Sequence, residues 1–169
     1  MSALLIGCGH SRVKQVRWDG NEEWNGKLTT LDMGDNCGAD VVWDMEVMPL
    51  PFADAEFDEL AAYNCMEHWG RQGDWRGYFA EFAEYHRILK PGGTFGIIVP
   101  QGGDAIADPG HTRFFSKNHF GFLSQSFYER NEVKSTCFTD YRWFWKLDFE
   151  IVLMQDDPAH IYTVLRKPL

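Results

Sequence analysis

Residues able to hold a nucleoside-containing ligand stand where three strand-like runs of this sequence end. The first run closes on Gly7-Cys8-Gly9, the second on Asp32 and the third on Asp44. Glycines at a strand end let the backbone turn tightly and approach a ligand, because no Cβ is in the way. A carboxylate about 20 residues further on can accept hydrogen bonds from a ribose diol. The next carboxylate can receive the exocyclic amine of an adenine, so the series predicts a nucleoside site at one edge of a parallel sheet.

Each of these positions also has an ordinary structural interpretation. Glycines end many strands, Asp32 begins a DMGDN turn in which a surface aspartate is common, and Asp44 can cap a helix or turn. A dinucleotide fingerprint, G-x-G-x-x-G, would need a third glycine where Arg12 stands. A bulky residue there hinders close approach of a pyrophosphate, so NAD is not the predicted ligand.

The elements that position these residues alternate between strands and helices. The predicted strands are 1–8, 27–33, 39–45, 57–66, 93–100, 149–155 and 161–167. The predicted helices are 75–90, ended by Lys90-Pro91-Gly92-Gly93, and 116–128, with Ser116 as N-cap. The last two strands flank DDPAH and predict an antiparallel hairpin. The alternation predicts a parallel sheet covered by helices on both faces, with ligands at the carboxyl ends of its strands.

Size and charge narrow the class of protein. A chain of 169 residues is long enough for one sizeable core, which predicts a single domain over 1–169. The net charge of -9 argues against tight, nonspecific binding of a nucleic-acid backbone, which needs clustered lysine and arginine. Small or neutral substrates are therefore favoured.

Cysteine spacing and hydropathy predict a cytoplasmic protein. The four cysteines form no CxxC pair, which argues against both a zinc signature and a disulfide framework. No His/Cys/acid spacing indicates a metal site, so none is predicted. The N-terminal apolar run is shorter than the core of a signal peptide, and no run approaches the roughly 20 apolar residues of a membrane span. The cysteines are Cys8, Cys37, Cys65 and Cys137.

Read in order, these motifs resemble the class I S-adenosylmethionine-dependent methyltransferases. The resemblance covers roughly residues 4–123 and is carried by PLPFADAEFDEL, NCMEH, ILKPGG and DPGHTRFFS. The sequence is particularly similar to a branch of small bacterial and phage-type predicted methyltransferases. The resemblance implies an α/β, Rossmann-like fold with a seven-stranded, mostly parallel sheet and an antiparallel C-terminal hairpin.

The resemblance also implies which residues bind S-adenosylmethionine. Glycines and neighbours at the first strand end contact the cofactor, the second strand end contacts its ribose, and the third contacts its adenine. Asn64, after the fourth strand, would lie beside the sulfonium and the incoming substrate, where it is a catalytic candidate. The implied cofactor-binding residues are Gly7, Cys8, Gly9, Asp32, Met33, Asp44, Met45 and Asn64.

The acceptor side is expected around the motifs NCMEH and DPGHTRFFS, where His68, His111 and Arg113 are candidate substrate contacts. His111 is also a catalytic candidate, since a histidine titrates near neutrality and could remove a hydroxyl proton during methyl transfer. A loop-ordering histidine paired with Asp108 is the structural alternative for it. His68 could be structural, and Arg113 could bind a carboxylate or phosphate or pair with acidic surface.

The expected reaction is methyl transfer to an oxygen or nitrogen of a small-molecule or glycan acceptor. One alternative is a nucleic-acid methyltransferase, but NCME stands where an amino-methylating enzyme has D/N-P-P-Y/F. A non-catalytic, cofactor-binding module is the other, favoured by two departures: Leu5 replaces a frequent acidic residue, and the usual helix before the first strand is absent. Residues 18–24 could then close the cleft.

The aromatic run 141–149 is interpreted as core, with a substrate platform or subunit contact as alternatives.

Overall fold

The computed structural model describes residues 1–24, 26–130 and 138–169 and shows a three-layered arrangement around one mixed sheet. The strands are β1 (Ser2–Ile6), β2 (Lys27–Asp32), β3 (Val41–Val42), β4 (Phe57–Tyr63), β5 (Leu89–Pro100), β6 (Glu150–Asp156) and β7 (His160–Arg166). The helices are α1 (Trp75–Ile88), α2 (Gly102–Ala107), α3 (Lys117–Gly121) and α4 (Gln125–Glu129), with 3-10 turns at Asp35–Cys37 and Met66–His68. None of the helices in the described ranges has the length and apolarity needed to cross a membrane.

The sheet confirms the predicted topology. Its order is β3-β2-β1-β4-β5-β7-β6, and the pairs β1–β2, β2–β3, β1–β4 and β4–β5 are parallel. β7 pairs antiparallel with both β5 and β6, so in this sheet it runs against the other six strands. The chain leaves β1 in one direction to β2 and later returns on its other side as β4. Ligands bind at such a switch point, outside the carboxyl ends of the strands.

The largest differences from the predicted element boundaries concern the third strand, the start of β5 and the helix predicted over 116–128. The third strand shrinks from 39–45 to Val41–Val42, because the chain turns at Asp44. Leu89 already pairs with Phe57, so Lys-Pro-Gly-Gly forms an irregular start of β5 and does not merely end the helix. Residues 116–128 form two short helices, α3 and α4, and Ser116 caps the first of them as predicted.

The main core lies between α1 and one face of the sheet. Phe79, Phe82 and Tyr85 are buried at helical spacing on α1, and they belong to the same apolar cluster as Phe95 and Ile97 of β5. Full burial of side chains of this size contributes about 1.5–3 kcal/mol each. This apolar stripe is therefore what fixes α1 on the sheet.

The second face of the sheet is covered differently from the prediction. Residues 8–24, all of which the structure describes, contain no helix. Val16 and Trp18 of this segment pack on an apolar cluster that includes Ala61 and Ile98. Lys14, 2% exposed, is anchored there with its Nζ 2.9 Å from a Glu59 carboxylate oxygen. The expectation of helices on both faces is wrong at this point, because an extended segment with a buried ion pair takes the place of one.

Candidate functional site

The glycine turn after β1 is shaped by close packing on one side and open space on the other. Gly7 has φ +61° and Gly9 has φ +48°, both in the left-handed region that favours glycine. A Cβ at Gly7 would lie 2.5 Å from the Cβ of Cys65, so no larger residue fits between the ends of β1 and β4. A Cβ at Gly9 would meet nothing within 4 Å. The backbone at Gly9 is thus open to a ligand at the carboxyl edge of the sheet.

Asp32 joins this turn to the loop after β2. Its Oδ2 accepts a hydrogen bond from the Gly9 amide at 2.8 Å, and its Oδ1 accepts one from the Gly34 amide at 2.9 Å. An ionised carboxylate can accept about four hydrogen bonds, so both oxygens retain capacity for a ribose diol. Asp32 therefore stabilises the turn, as its structural interpretation predicted, and its carboxylate can still accept hydrogen bonds from a ligand.

Arg12, which replaces the third fingerprint glycine, locks the same two loops together. Its guanidinium donates to the carbonyl oxygen of Gly9 at 3.0 Å and to those of Cys37 and Gly38 at 3.1 and 2.9 Å. Cys8, between the two glycines, is buried. Contacts within the protein therefore fix the conformation of the turn.

The predicted adenine-side residues differ in their exposure. Met33 is 73% exposed next to Asp32, whereas Met45 is 5% exposed and belongs to the main core. Asp44 is exposed, and its Oδ1 accepts a hydrogen bond from the Glu46 amide at 2.9 Å. Asp44 therefore caps a turn, as its structural interpretation predicted. Of the three predicted adenine-side residues, Met33 and Asp44 face solvent.

Asn64 leaves β4 in an unusual backbone conformation. Its φ is +49°, and its side chain is exposed at the carboxyl end of the strand. Its amide donates to the Ile98 carbonyl oxygen at 2.8 Å, which keeps β4 paired to β5 up to this point. Non-glycine residues held in this region carry about 1–3 kcal/mol of strain and cluster at functional sites. Asparagine tolerates the conformation better than most residues.

A cluster of Glu67, His68 and His111 forms beyond Asn64. One ligand-type atom from each of the three lies within 4.8 Å of those of the others. The loop that carries His111 is tied to the 3-10 turn, because the Thr112 amide donates to the Glu67 carbonyl oxygen at 2.9 Å. His68 is exposed, and its ring lies 4.7 Å from the His111 ring, measured between centroids.

The ring of His111 is held by a backbone carbonyl and not by the Asp108 carboxylate, although the His111 amide donates to the Asp108 carbonyl oxygen at 3.2 Å. Its Nδ1 lies 2.8 Å from the carbonyl oxygen of Ala105, and because a carbonyl only accepts, Nδ1 donates and a neutral ring keeps its lone pair on Nε2. The Nε2 atom lies 3.9 Å from a carboxylate oxygen of Asp108 and 3.9 Å from Oε1 of Glu67, beyond hydrogen-bond distance in both cases. The ring therefore orders the loop, as the structural alternative expected, but its partner is the Ala105 carbonyl oxygen. The Nε2 lone pair remains available to accept a proton or bind a ligand.

Glu67 is a candidate that sequence reasoning left without a role. It is 2% exposed, and within the described part of the chain its Oε2 atom has no hydrogen-bond partner. Burial raises the pKa of this carboxyl, against the opposing effect of the nearby His68, His111 and Arg113. The motif MEH, quoted for the family resemblance, was the available signal for it.

Arg113 does not offer the free cation that the sequence analysis considered. It is 6% exposed, and its Nη1 and Nη2 donate to the two carboxylate oxygens of Glu81 at 2.6 and 2.9 Å. Its Nε donates to the Met66 carbonyl oxygen at 2.9 Å. The partner is a buried carboxylate and not acidic surface, so the substrate-binding role expected for this guanidinium is replaced by one in positioning the Met66–His68 turn.

Arg113 also lines an aromatic cavity of roughly 210 Å³. The phenylalanine, tyrosine and tryptophan residues of its lining are Trp75, Tyr78, Phe79, Phe114, Phe115, Phe122 and Tyr141. From the aromatic run 141–149, Trp145 and Phe149 are core residues as predicted, whereas Trp143 is 62% exposed. The run thus contributes both to the core and, through Tyr141, to a cavity that an apolar or planar molecule could enter.

Comparisons with known proteins assign the fold and the family. A family model described as a methyltransferase domain matches residues 4–97, more than half of the chain. A search of curated proteins finds no match.

Solved structures of similar fold include several methyltransferases. A SAM-dependent methyltransferase from Methanosarcina mazei has a TM-score of 0.59 and 16% identity, covering 99% of this chain and 92% of its own. The 1,6-didemethyltoxoflavin-N1-methyltransferase of Burkholderia thailandensis has a TM-score of 0.58 and 16% identity, over 99% and 71%. The N-methyltransferase NodS of Bradyrhizobium japonicum has a TM-score of 0.57 and 12% identity, over 99% and 78%. At these identities the likeness concerns the fold.

Proposed function

Because this chain belongs to the methyltransferase-domain family, we propose that it methylates an oxygen or nitrogen of a small-molecule or glycan acceptor. S-adenosylmethionine is its cofactor and supplies a methyl group already activated on a sulfonium. The observation that carries the proposed cofactor site is the hydrogen bond from the Gly9 amide to Asp32, which joins the two strand-end loops. It brings an open backbone turn and a carboxylate together at the switch point of the sheet.

Within this site each group has a proposed role. The turn from Gly7 to Gly9 lies against the cofactor, Asp32 accepts from its ribose, and Met33 and Asp44 border its adenine, with Met45 behind them. Asn64 stands on the same edge and orients the reacting groups. With the cofactor bound, a lone pair of the acceptor would attack the methyl carbon in line while the carbon–sulfur bond breaks and S-adenosylhomocysteine leaves with the bonding electrons, so most of the catalysis would come from positioning.

The acceptor is proposed to approach between the histidine cluster and the aromatic cavity. His68 and His111 would contact it, and the free Nε2 of His111 could take a proton from an acceptor hydroxyl. The aromatic lining of the cavity and the net charge of -9 favour a small or sugar-like molecule over a nucleic acid. The Burkholderia thailandensis neighbour was crystallised with 1,6-didemethyltoxoflavin, which agrees with a small acceptor.

The remaining parts of the proposal rest on the sequence. We propose one domain over 1–169, in the small bacterial and phage-type branch that the quoted motifs resemble. A reducing, cytoplasmic setting is supported by Cys8, Cys37 and Cys65, which are free thiols.

Asp32→Ala tests the proposed cofactor site. We expect it to weaken binding of S-adenosylhomocysteine by about 1.5–3 kcal/mol, the range for hydrogen bonds to a charged group. Binding is measured by calorimetry on protein whose folding is checked by thermal melting. Because Asp32 also accepts from two loop amides, a modest fall in melting temperature is expected as well.

Asp40→Ala is the matched control, since Asp40 also holds a loop, by accepting from the amide and hydroxyl of Thr30. Asp40 stands at the amino end of β3, whereas the ribose is proposed at the carboxyl edge of the sheet. The stability of the Asp40→Ala protein should therefore fall while its affinity for S-adenosylhomocysteine stays unchanged. An Asp32→Ala protein that folds and binds as tightly as the wild type would place the ribose elsewhere.

A further inference from the structure

We propose that Glu67, His68 and His111 bind a divalent transition cation, for which Zn²⁺ is the best-suited ion. Two imidazoles and one carboxylate form the ligand set of catalytic zinc sites that keep the fourth position open. The three ligand atoms already lie within 4.8 Å of one another. Those of a tetrahedral zinc ion are roughly 3.3 Å apart, so a small closing movement, easiest for the exposed His68 ring, completes the site.

The orientation of His111 is that of a metal ligand. Its Nδ1 donates to the Ala105 carbonyl oxygen at 2.8 Å, which leaves Nε2 as the coordinating atom. Metal-binding histidines almost always donate their other ring N–H in this way, because the second hydrogen bond fixes the ring. The side chain of His111 is 8% exposed, so the ring is held in place by its surroundings.

Glu67 supplies an independent indication. The residue is 2% exposed, and Oε2 lacks a hydrogen-bond partner among the described residues. A buried carboxylate oxygen without a partner is costly, and a bound cation would provide one. Arg113 does not fill this role, because its guanidinium donates hydrogen bonds to Glu81 and to the Met66 carbonyl oxygen.

The scaffold holds the two ligand-bearing segments at a fixed distance. Thr112 donates through its amide to the Glu67 carbonyl oxygen at 2.9 Å, and the Gln72 amide donates to the Thr112 carbonyl oxygen at 3.2 Å. These bonds bring residues 67 and 111 together across a long stretch of sequence. A set of ligands assembled by backbone hydrogen bonds needs little reorganisation to bind an ion.

Cys8, Asp32 and Cys37 form the other group of possible ligands in the described ranges. Asp32 there already accepts from two loop amides, and burial raises the pKa of the Cys8 thiol to about 11. Metal binding requires the thiolate, so this second group is the weaker candidate and serves as a competitor in the test.

A bound cation would change how the acceptor loses its proton. It would occupy the Nε2 lone pair of His111, and an acceptor hydroxyl held at the remaining position would be a stronger acid that releases its proton to solvent. This consequence rests on the proposed function, whereas binding of the ion does not.

The test is titration of chelator-treated, metal-free protein with Zn²⁺ alone in a calorimeter, repeated with Co²⁺ followed by visible absorption. We expect a single ion on the wild-type chain. Loss of one of three protein ligands should weaken binding by roughly 100-fold or more, beyond the effect of losing an outer partner. Glu67→Gln, His68→Ala and His111→Ala are the variants, and His160→Ala, on β7, is the matched histidine control with unchanged binding.

His68→Ala decides the matter if the buried variants fold poorly, since His68 is exposed and its removal should leave the melting temperature unchanged. A wild-type protein that takes up no ion, a His68→Ala protein that binds like the wild type, or loss of binding in Cys37→Ser instead would each overturn the proposal. Binding of S-adenosylhomocysteine to the metal-free protein is measured in parallel. A metal-free protein that does not bind S-adenosylhomocysteine would count against the proposed function and not against the metal site.

Discussion

Replacing Arg113 with alanine should lower the free energy of unfolding by about 3–5 kcal/mol, because removing one partner of a buried ion pair leaves the other charge uncompensated. Glu81, the stranded partner, is 5% exposed. It would keep its hydrogen bonds from Trp69 Nε1 and the Tyr85 hydroxyl, both at 2.7 Å, but lose both contacts to the guanidinium. Urea unfolding followed by tryptophan fluorescence measures the change.

Two controls separate the buried ion pair from general effects of losing an arginine. Arg142→Ala removes an exposed arginine that pairs with Asp140, and no measurable change in stability is expected. The double variant Arg113→Met with Glu81→Gln keeps an acceptor for Trp69 and Tyr85 and removes both charges, so it should recover at least half of the loss. If the Arg113→Ala protein is as stable as the Arg142→Ala protein, the ion pair of Arg113 with Glu81 does not stabilise the fold. Arg113 would then again be a candidate for binding the substrate.

Gly7→Ala is expected to destabilise the protein by about 2–5 kcal/mol. The estimate combines about 1–2 kcal/mol for a left-handed alanine with about 1–3 kcal/mol for overpacking. The overpacking arises because the new Cβ would lie 2.5 Å from the Cβ of Cys65. Any relief would have to move the ends of β1 and β4 apart, so the affinity for S-adenosylhomocysteine should fall in the same variant.

Gly9→Ala is the matched comparison, two residues away in the same turn. Its φ is also positive, but a Cβ there meets nothing within 4 Å. Only the conformational penalty of about 1–2 kcal/mol should remain. Equal destabilisation by the two substitutions would show that the contact with Cys65 does not limit the size of residue 7.

Local patterns were enough to predict most of the fold. The apolar stripe of α1 and the strand-end positions of Gly7 and Asp32 depend on residues close in sequence, and periodicity detects such relations. The C-terminal hairpin was found for the same reason. The start of β5 was missed, because Leu89 pairs with Phe57 across the sheet and Lys-Pro-Gly-Gly appears in the sequence only as a helix stop.

The missed features depend on contacts between distant segments. Arg113 was expected either to bind a substrate anion or to pair with acidic surface, and nothing near it in sequence indicates that its Nη1 lies 2.6 Å from a Glu81 carboxylate oxygen. The same is true of Glu67 and His111, which the Thr112 hydrogen bond brings together. The segment 8–24 lacks helical periodicity, so its packing on the sheet through Lys14 had no local signal.

Calorimetric titration of the protein with S-adenosylhomocysteine and, separately, with NAD shows whether the loops after β1 and β2 form an S-adenosylmethionine site. We expect binding of S-adenosylhomocysteine, because an open glycine turn and Asp32 meet at the switch point of the sheet. We expect no comparable binding of NAD, because Arg12 stands in the place of the third fingerprint glycine and holds the loop by hydrogen bonds. Tighter binding of NAD than of S-adenosylhomocysteine would contradict the assignment of the site.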